Sequence, residues 1–187
     1  MAGTLSVQKI QGLASSSTPT TVEIASGHVL QAPGHVLQVL QSTNDTKTDI
    51  SQNATATVLQ QAITPSATSS KVLVNVSVNL GGDNNSYGYG KVFRDSTLIG
   101  AGAASSSRPQ VSFSLMSGLN SNFDYRMGIH NFMFLDSPST TSATTYAFYI
   151  ATTSSDGCGV NRSYRDSDNA NYDGRATSSI TVMEVSA

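Results

Sequence analysis

The segment KVLVNVSVNL, Lys71 to Leu80, decides the fold. In an extended chain Val72, Val74, Val76 and Val78 share one face, while Leu73, Asn75, Ser77 and Asn79 share the other. Successive strand side chains point to opposite sides, so this is a strand with one face in a core. β-branched residues at every second position suit such a pleated, half-buried surface.

The same alternation recurs on both sides. HVLQVLQ (35–41), TATVLQQAI (55–63), YGYGKVFR (87–94), QVSFSLM (110–116), YRMGIHNFMFL (125–135), TTYAFYIAT (144–152) and SSITVMEV (178–185) bring the expected strands to eight. Between them stand TPSATSS, GGDNNS, SGLNSN, DSPSTTS and DSDNANYDG, all rich in turn residues. Strands joined by polar turns, with no helical period between them, predict an antiparallel β-sandwich. A two-sheet jelly roll is the first choice. In the last strand Ile180, Val182 and Glu184 share one face, and Thr181, Met183 and Val185 the other. Apolar residues on both faces make it central or covered, and it is expected in one sheet with residues 35–41. Ser178, at its start, reads as exposed, and DGCG around Cys158 as a tight turn.

The first thirty or so residues differ. Leu5, Val7, Ile10, Leu13, Val22 and Ile24 are scattered among Ser, Thr and Pro, too few to bury a core alone. The expected organisation is an extended attachment arm over 1–33 and a sandwich over 34–187. At the junction GHVLQ occurs twice with Ala32 and Pro33 between the copies. Two copies are too few for a solenoid. The preferred reading is a joint, in which Pro33 and Gly34 turn the chain and the second copy opens the sandwich. A hairpin with Gly34 in the left-handed position is the alternative.

The chain has 187 residues, enough for one domain with an appendage. Charged residues are only 12% of it, about half the ordinary ~25%, while Ser and Thr make up roughly a quarter. With a net charge of −2 there is no basic field for nucleic acid. The N-terminal sequence has neither the basic nor the apolar region of a signal peptide, and no apolar run is long enough to span a membrane. Cys158 is the sole cysteine, so no intramolecular disulfide or thiolate cage is expected.

Several stretches resemble a group of virion structural proteins of tailed phages of marine and freshwater bacteria, cyanophages included. They are GTLSVQKIQGLASSSTPTTVEIASGH, APGHVLQVLQ, ITPSATSSKVLV, FLDSPSTTSATTY and SSITVMEVSA. The resemblance spans most of the chain and is weakest over 81–126 and 154–176. It implies a particle component with an N-terminal attachment segment and a β-sandwich head, of the kind described as tail-fibre or virion proteins; without a signal peptide, the chain is expected to be made in the host cytoplasm. No catalytic residue comes with it.

Candidate sites are few. Asp166, Asp168, Asn169, Asn171 and Asp173 are oxygen donors of the kind Ca²⁺ takes, but the EF-hand pattern fails, with Ile180 where the bidentate Glu is needed. The loop reads as a polar turn. His28, His35 and His130 have no carboxylate at ligand spacing. No nucleophile elbow or paired carboxylates are seen, so no enzyme, metal or cofactor is expected. Tyr87, Tyr89, Arg162, Tyr164, Arg165, Tyr172 and Arg175 combine aromatic faces with guanidinium forks, as a shallow glycan or protein contact uses. The same tyrosines could equally cap the sandwich or pack on a neighbouring subunit.

The expected function is a non-enzymatic phage virion subunit, a homotrimeric fibre or knob. Its arm would hold it to other virion proteins, and its sandwich would face the host surface. The alternative is a capsid decoration or cement protein stabilising the head lattice.

Overall fold

A computed structural model describes residues 32–82, 88–115, 125–153 and 157–187. Leu5, Val7, Ile10, Leu13, Val22, Ile24, His28 and Tyr87 lie outside them. The described residues form eleven strands: β1 Val36–Asn44, β2 Thr48–Ile50, β3 Thr55–Ile63, β4 Lys71–Gly81, β5 Gly88–Arg94, β6 Thr97–Ile99, β7 Phe113–Leu115, β8 Gly128–Asp136, β9 Thr144–Thr152, β10 Cys158–Val160 and β11 Ser178–Val185. All eight expected strands are present, two of them trimmed. The strand expected over 125–135 begins at Gly128, and the one over 110–116 narrows to Phe113–Leu115. The additions are β2, β6 and β10, each three residues long.

Every pairing is antiparallel. In the first sheet β1 pairs β11, β11 pairs β4, and β4 pairs β8. Short β10 continues the β11 row against the end of β4, and β2 pairs β10. In the second sheet β3 pairs β9, β9 pairs β5, and both β6 and β7 lie along the far edge of β5. β6 meets Val92–Arg94 and β7 meets Gly88–Gly90, so the two are one interrupted strand. Each sheet thus has four rows, ordered β1/β2, β11/β10, β4, β8 and β3, β9, β5, β6/β7. Taken as rows, β1/β2, β3, β4, β5 with β6/β7, β8, β9 and β10/β11 alternate between the sheets in the manner of a jelly roll. The expected sharing of a sheet by the first and last strands holds, with Val39 opposite Met183 and Leu40 opposite Val182.

The core lies between the sheets. Val72, Val74, Val76, Val78, Ile180 and Val182 from the first meet Leu59, Ile63, Val92, Tyr146, Phe148 and Ile150 from the second. Burying each such side chain contributes about 1.5–3 kcal/mol. Phe113 stacks between Phe132 and Phe148, with centroids 5.5 and 5.4 Å away, and closes one side. Its ring lies where a Cβ on Gly90 would sit, 2.5 Å off, which is why β5 needs glycine there.

The junction is a tight turn. His35 N donates to Ala32 O at 3.0 Å, with Pro33 and Gly34 between and Gly34 at φ +79°. Proline followed by a positive-φ glycine is the chemistry of a type II turn. Gly34 N donates to Ser186 O and Ser186 N to His35 O, pinning the entry of β1 to the end of β11. The turn is common to the joint and the hairpin readings, and the first GHVLQ copy, which distinguishes them, lies outside the described residues.

Two buried polar groups lock the end of the sandwich where β1 enters. Glu184 is fully buried, yet accepts from Ser66 N, Ser66 Oγ and Gln38 Nε2 at 2.7 Å each. Asp136 accepts from Arg94 Nη1 and from the buried Tyr146 hydroxyl. Surrounding donors compensate the burial of both carboxylates.

Candidate functional site

The opposite end of the sandwich carries the candidate contact residues. The register places the end of β1, the start of β11, the end of β4 and the start of β8 together there. From it rises the loop 161–177 between β10 and β11. Its neck is closed by a bridge between Arg162 and Arg175 and by Ala176 N donating to Asn161 O.

Asn161 sets the loop's departure. It is fully buried at φ +59°, a left-handed conformation that asparagine tolerates better than most residues. Its Nδ2 donates to Asn44 O and Thr46 O, and its Oδ1 accepts the Ser178 hydroxyl at 2.6 Å. Ser178 is itself fully buried, contrary to the exposure expected of it. Its hydroxyl is small enough to sit beneath the loop and is spent on joining β4, β11 and the loop neck.

Arg162 is buried as well. Nε donates to Asp49 Oδ1 at 2.6 Å, and Nη1 donates to Ser163 O and Tyr164 O. The guanidinium lies over Gly159, where a Cβ would come within 2.8 Å of it. Arg162 therefore ties β2 to the loop rather than pointing outward.

Inside the loop Asp173 is the acceptor hub. It takes the Ser163 hydroxyl at 2.5 Å, Ser167 N and Oγ at 2.7 Å each, and Asn169 N at 3.1 Å. These donors, Ser163 first, hold its pKa down to about 2. Asp166 pairs with Lys47 at 2.8 Å and Arg175 at 2.5 Å, and its pKa is lowered, mainly by the Lys47 ammonium. Donors of the loop itself fill Asp173, whereas Asp166 is held by the ammonium of Lys47, from outside the loop, and by Arg175. Among the described residues no group of three or more His, Cys, Asp or Glu could hold a metal ion.

Over this frame sits an aromatic and guanidinium group. Tyr125 packs edge-on against Tyr172, centroids 4.6 Å apart, and Arg165 lies 4.9 Å over the Tyr125 ring while donating to its hydroxyl. Arg165, Tyr172 and Arg175 are exposed and Tyr164 is half-buried. Beside them an open groove of about 450 Å³ is lined by Asp49, Ile50, Ser51, Gly157, Cys158, Arg162, Tyr164 and Arg165. Cys158 lies in β10, opposite Ile50, and not in the expected turn. Burial pushes its thiol up to about 11, so it stays protonated at neutral pH and is a poor nucleophile.

The structure thus brings together Arg162, Tyr164, Arg165, Tyr172 and Arg175 of the expected contact residues, with Arg162 beneath and the others at the surface. Tyr89 belongs to β5, opposite Ala151 and Ser114 in the other sheet, and shares no ring contact with them among the described residues. Tyr125 was missed by sequence reasoning, because its partners lie forty or more positions along the chain and FDYRMG reads as a strand start. His130 stands opposite Val78, and burial lowers its pKa.

No family model and no curated protein sequence matches the chain, so the resemblance to tailed-phage virion proteins is not shown by them. Among solved structures the chain is similar to that of the infectious bursal disease virus Gx strain, at 11% identity and a TM-score of 0.45, over 89% of this chain and 42% of that one. It is also similar to the VP2 subviral particle of infectious bursal disease virus, at 11% identity and a TM-score of 0.44, over 88% of this chain and 45% of that one. The chain spans less than half the length of these structures.

Proposed function

We propose that the chain is a non-enzymatic virion structural protein, a homotrimeric fibre or knob subunit. Its N-terminal arm, residues 1–33, attaches it to other virion proteins, and its far-end loops face the host surface. One observation carries this reading: the sandwich has two differentiated ends. β1 enters at the end where Gly34 bonds Ser186, while the Tyr125, Arg165 and Tyr172 group stands at the other, where the 161–177 loop rises. Attachment at one end and recognition at the other is the layout of a surface-displayed subunit.

The chemistry of the far end supports contact rather than catalysis. Tyr faces beside Arg forks suit a glycan or a polar protein surface. The one thiol is held protonated and Asp173 is saturated by its own loop, so neither of these two groups acts as a nucleophile or an acid–base partner there. The test is binding of the full chain to host cells, with Arg165→Ala plus Tyr172→Ala as the comparison. The reading requires the double variant to keep its fold and bind at least ten-fold more weakly, a loss of about 1.4 kcal/mol. Equal binding by parent and variant would remove the recognition role from this group.

A further inference from the structure

The groove beside the aromatic group has a polar lining of two opposite kinds. Asp49, Ile50 and Ser51 line it from the end of β2, and Arg162, Tyr164 and Arg165 from the root of the 161–177 loop. Its volume of about 450 Å³ lies within the ~300–1,000 Å³ of small-ligand sites. Nε and Nη2 of Arg162 both reach Oδ1 of Asp49, at 2.6 and 2.5 Å, which leaves Oδ2 outside the ion pair. The Asp49 side chain is 71% exposed, so that oxygen is an acceptor open to solvent. Arg165 is an exposed donor. Lys47, Arg162 and Arg175 are each paired with a carboxylate, whereas among the described residues Arg165 pairs with Tyr125 alone. A guanidinium carries more N–H groups than the one Tyr125 hydroxyl takes.

We infer, resting on the recognition role proposed above for this end, that the groove binds a neutral sugar unit of a host-surface glycan. Asp49 accepts from one of its hydroxyls and Arg165 donates to the adjacent one. Charge selects this class of ligand. An acidic ligand would bring its carboxylate to Asp49, and a basic one its ammonium to Arg165, so each would be opposed by one half of the site. A hydroxyl both donates and accepts, and two adjacent hydroxyls on one uncharged ring satisfy both halves. The half-buried Tyr164 ring adds apolar surface for the C–H face of a sugar. The site is preformed: Arg162 is buried and is fixed by the Ser163 and Tyr164 carbonyls while it holds Asp49. Little ordering is then needed on binding.

Surface polysaccharide extracted from host cells is the probe for the full chain. It is used native, periodate-oxidised to cleave adjacent hydroxyl pairs, and carboxyl-reduced to turn acidic sugars into neutral ones. The expected result is equal binding to the native and carboxyl-reduced forms and at least a ten-fold loss on the oxidised form. Two variants address the groove itself. Asp49→Asn keeps an oxygen for Arg162 but turns the acceptor at Oδ2 into a donor. Ser51→Trp fills the groove from an exposed position whose backbone carbonyl, not its side chain, accepts from Thr152, and it leaves the Asp49–Arg162 pair intact should Asp49→Asn fail to fold. Each should bind the native polysaccharide at least ten-fold more weakly with an unchanged circular dichroism spectrum. Loss of binding on carboxyl reduction would make the ligand acidic, and binding that survives periodate would exclude adjacent hydroxyls; either overturns the inference. So would parent-like binding by a folded variant, or binding to whole cells that protease abolishes and the polysaccharide does not reproduce. If any of these is found while Arg165→Ala plus Tyr172→Ala still weakens binding to cells, the groove falls and the recognition role stands. A parent that binds neither cells nor polysaccharide overturns both.

Discussion

The Ser178 hydroxyl donates to Asn161 Oδ1 at 2.6 Å and accepts the Asn79 amide at 3.0 Å, in a site closed to solvent. One side chain thus joins the start of β11, the end of β4 and the neck of the contact loop. Ser178→Ala would leave a buried acceptor and a buried N–H unpaired, at about 1–3 kcal/mol. Ser178→Asp would add a buried carboxylate facing the Asn161 oxygen and should cost several kcal/mol. Urea melts of the two variants check the order.

Val182 is fully buried in the central strand β11, between β1 and β4. Val182→Asp should cost several kcal/mol and remove soluble expression. A thermal melt equal to that of the parent would mean that β11 is not part of the core.

Gly81 is required by the loop neck. A Cβ there would lie 2.5 Å from Arg162 O and 2.6 Å from Tyr164 N, both backbone atoms that cannot swing aside. Gly81→Ala should destabilise by about 1–3 kcal/mol, as overpacking does. It should also loosen the loop, read as faster hydrogen exchange over 161–177.

These three cases show what the sequence could and could not tell. Alternation in 71–80 and 178–185 reports burial directly, because the strand period is two and a core accepts only one face. Hence the sandwich, the eight main strands and the shared sheet of β1 and β11 were all legible. β2, β6 and β10 were not, since three residues are too few to show a period. Ser178 misled because serine at a strand start ordinarily faces water, and only its bond to Asn161, seventeen positions away, explains its burial. Arg162 misled in the same way: a guanidinium among tyrosines suggests a contact, but Asp49, 113 positions off, takes it inward.

Acid should act at both ends of the sandwich. Burial pushes the Glu184 carboxyl up, but hydrogen bonds from Ser66, Ser70 and Gln38 outweigh it and leave its pKa below the ordinary 4.5. Asp173 is held down to about 2 from 3.8, first by the Ser163 hydroxyl. Both folded values are depressed, so their stabilisation is complete above the unfolded values and is lost as pH falls through the folded ones. Stability should therefore fall as pH drops from about 5 towards 2, and Asp173→Asn should flatten the lower part of that fall. Chemical denaturation across the range checks both. A parent whose stability is flat there would contradict the assignment.

The arm makes a separate claim. Deleting 1–33 should leave Gly34 bonded to Ser186 and the jelly roll intact, yet abolish incorporation into particles. Circular dichroism and particle composition check the two halves of the statement, and an unfolded truncated chain would contradict the first.

Imaging of intact particles with a label attached at Asn169, in the 161–177 loop, tests the central claim most directly. The label should lie at the outermost point of each projecting subunit, farthest from the body of the particle, with tens of copies per particle. A label facing the particle body, or a chain absent from purified particles, would contradict it.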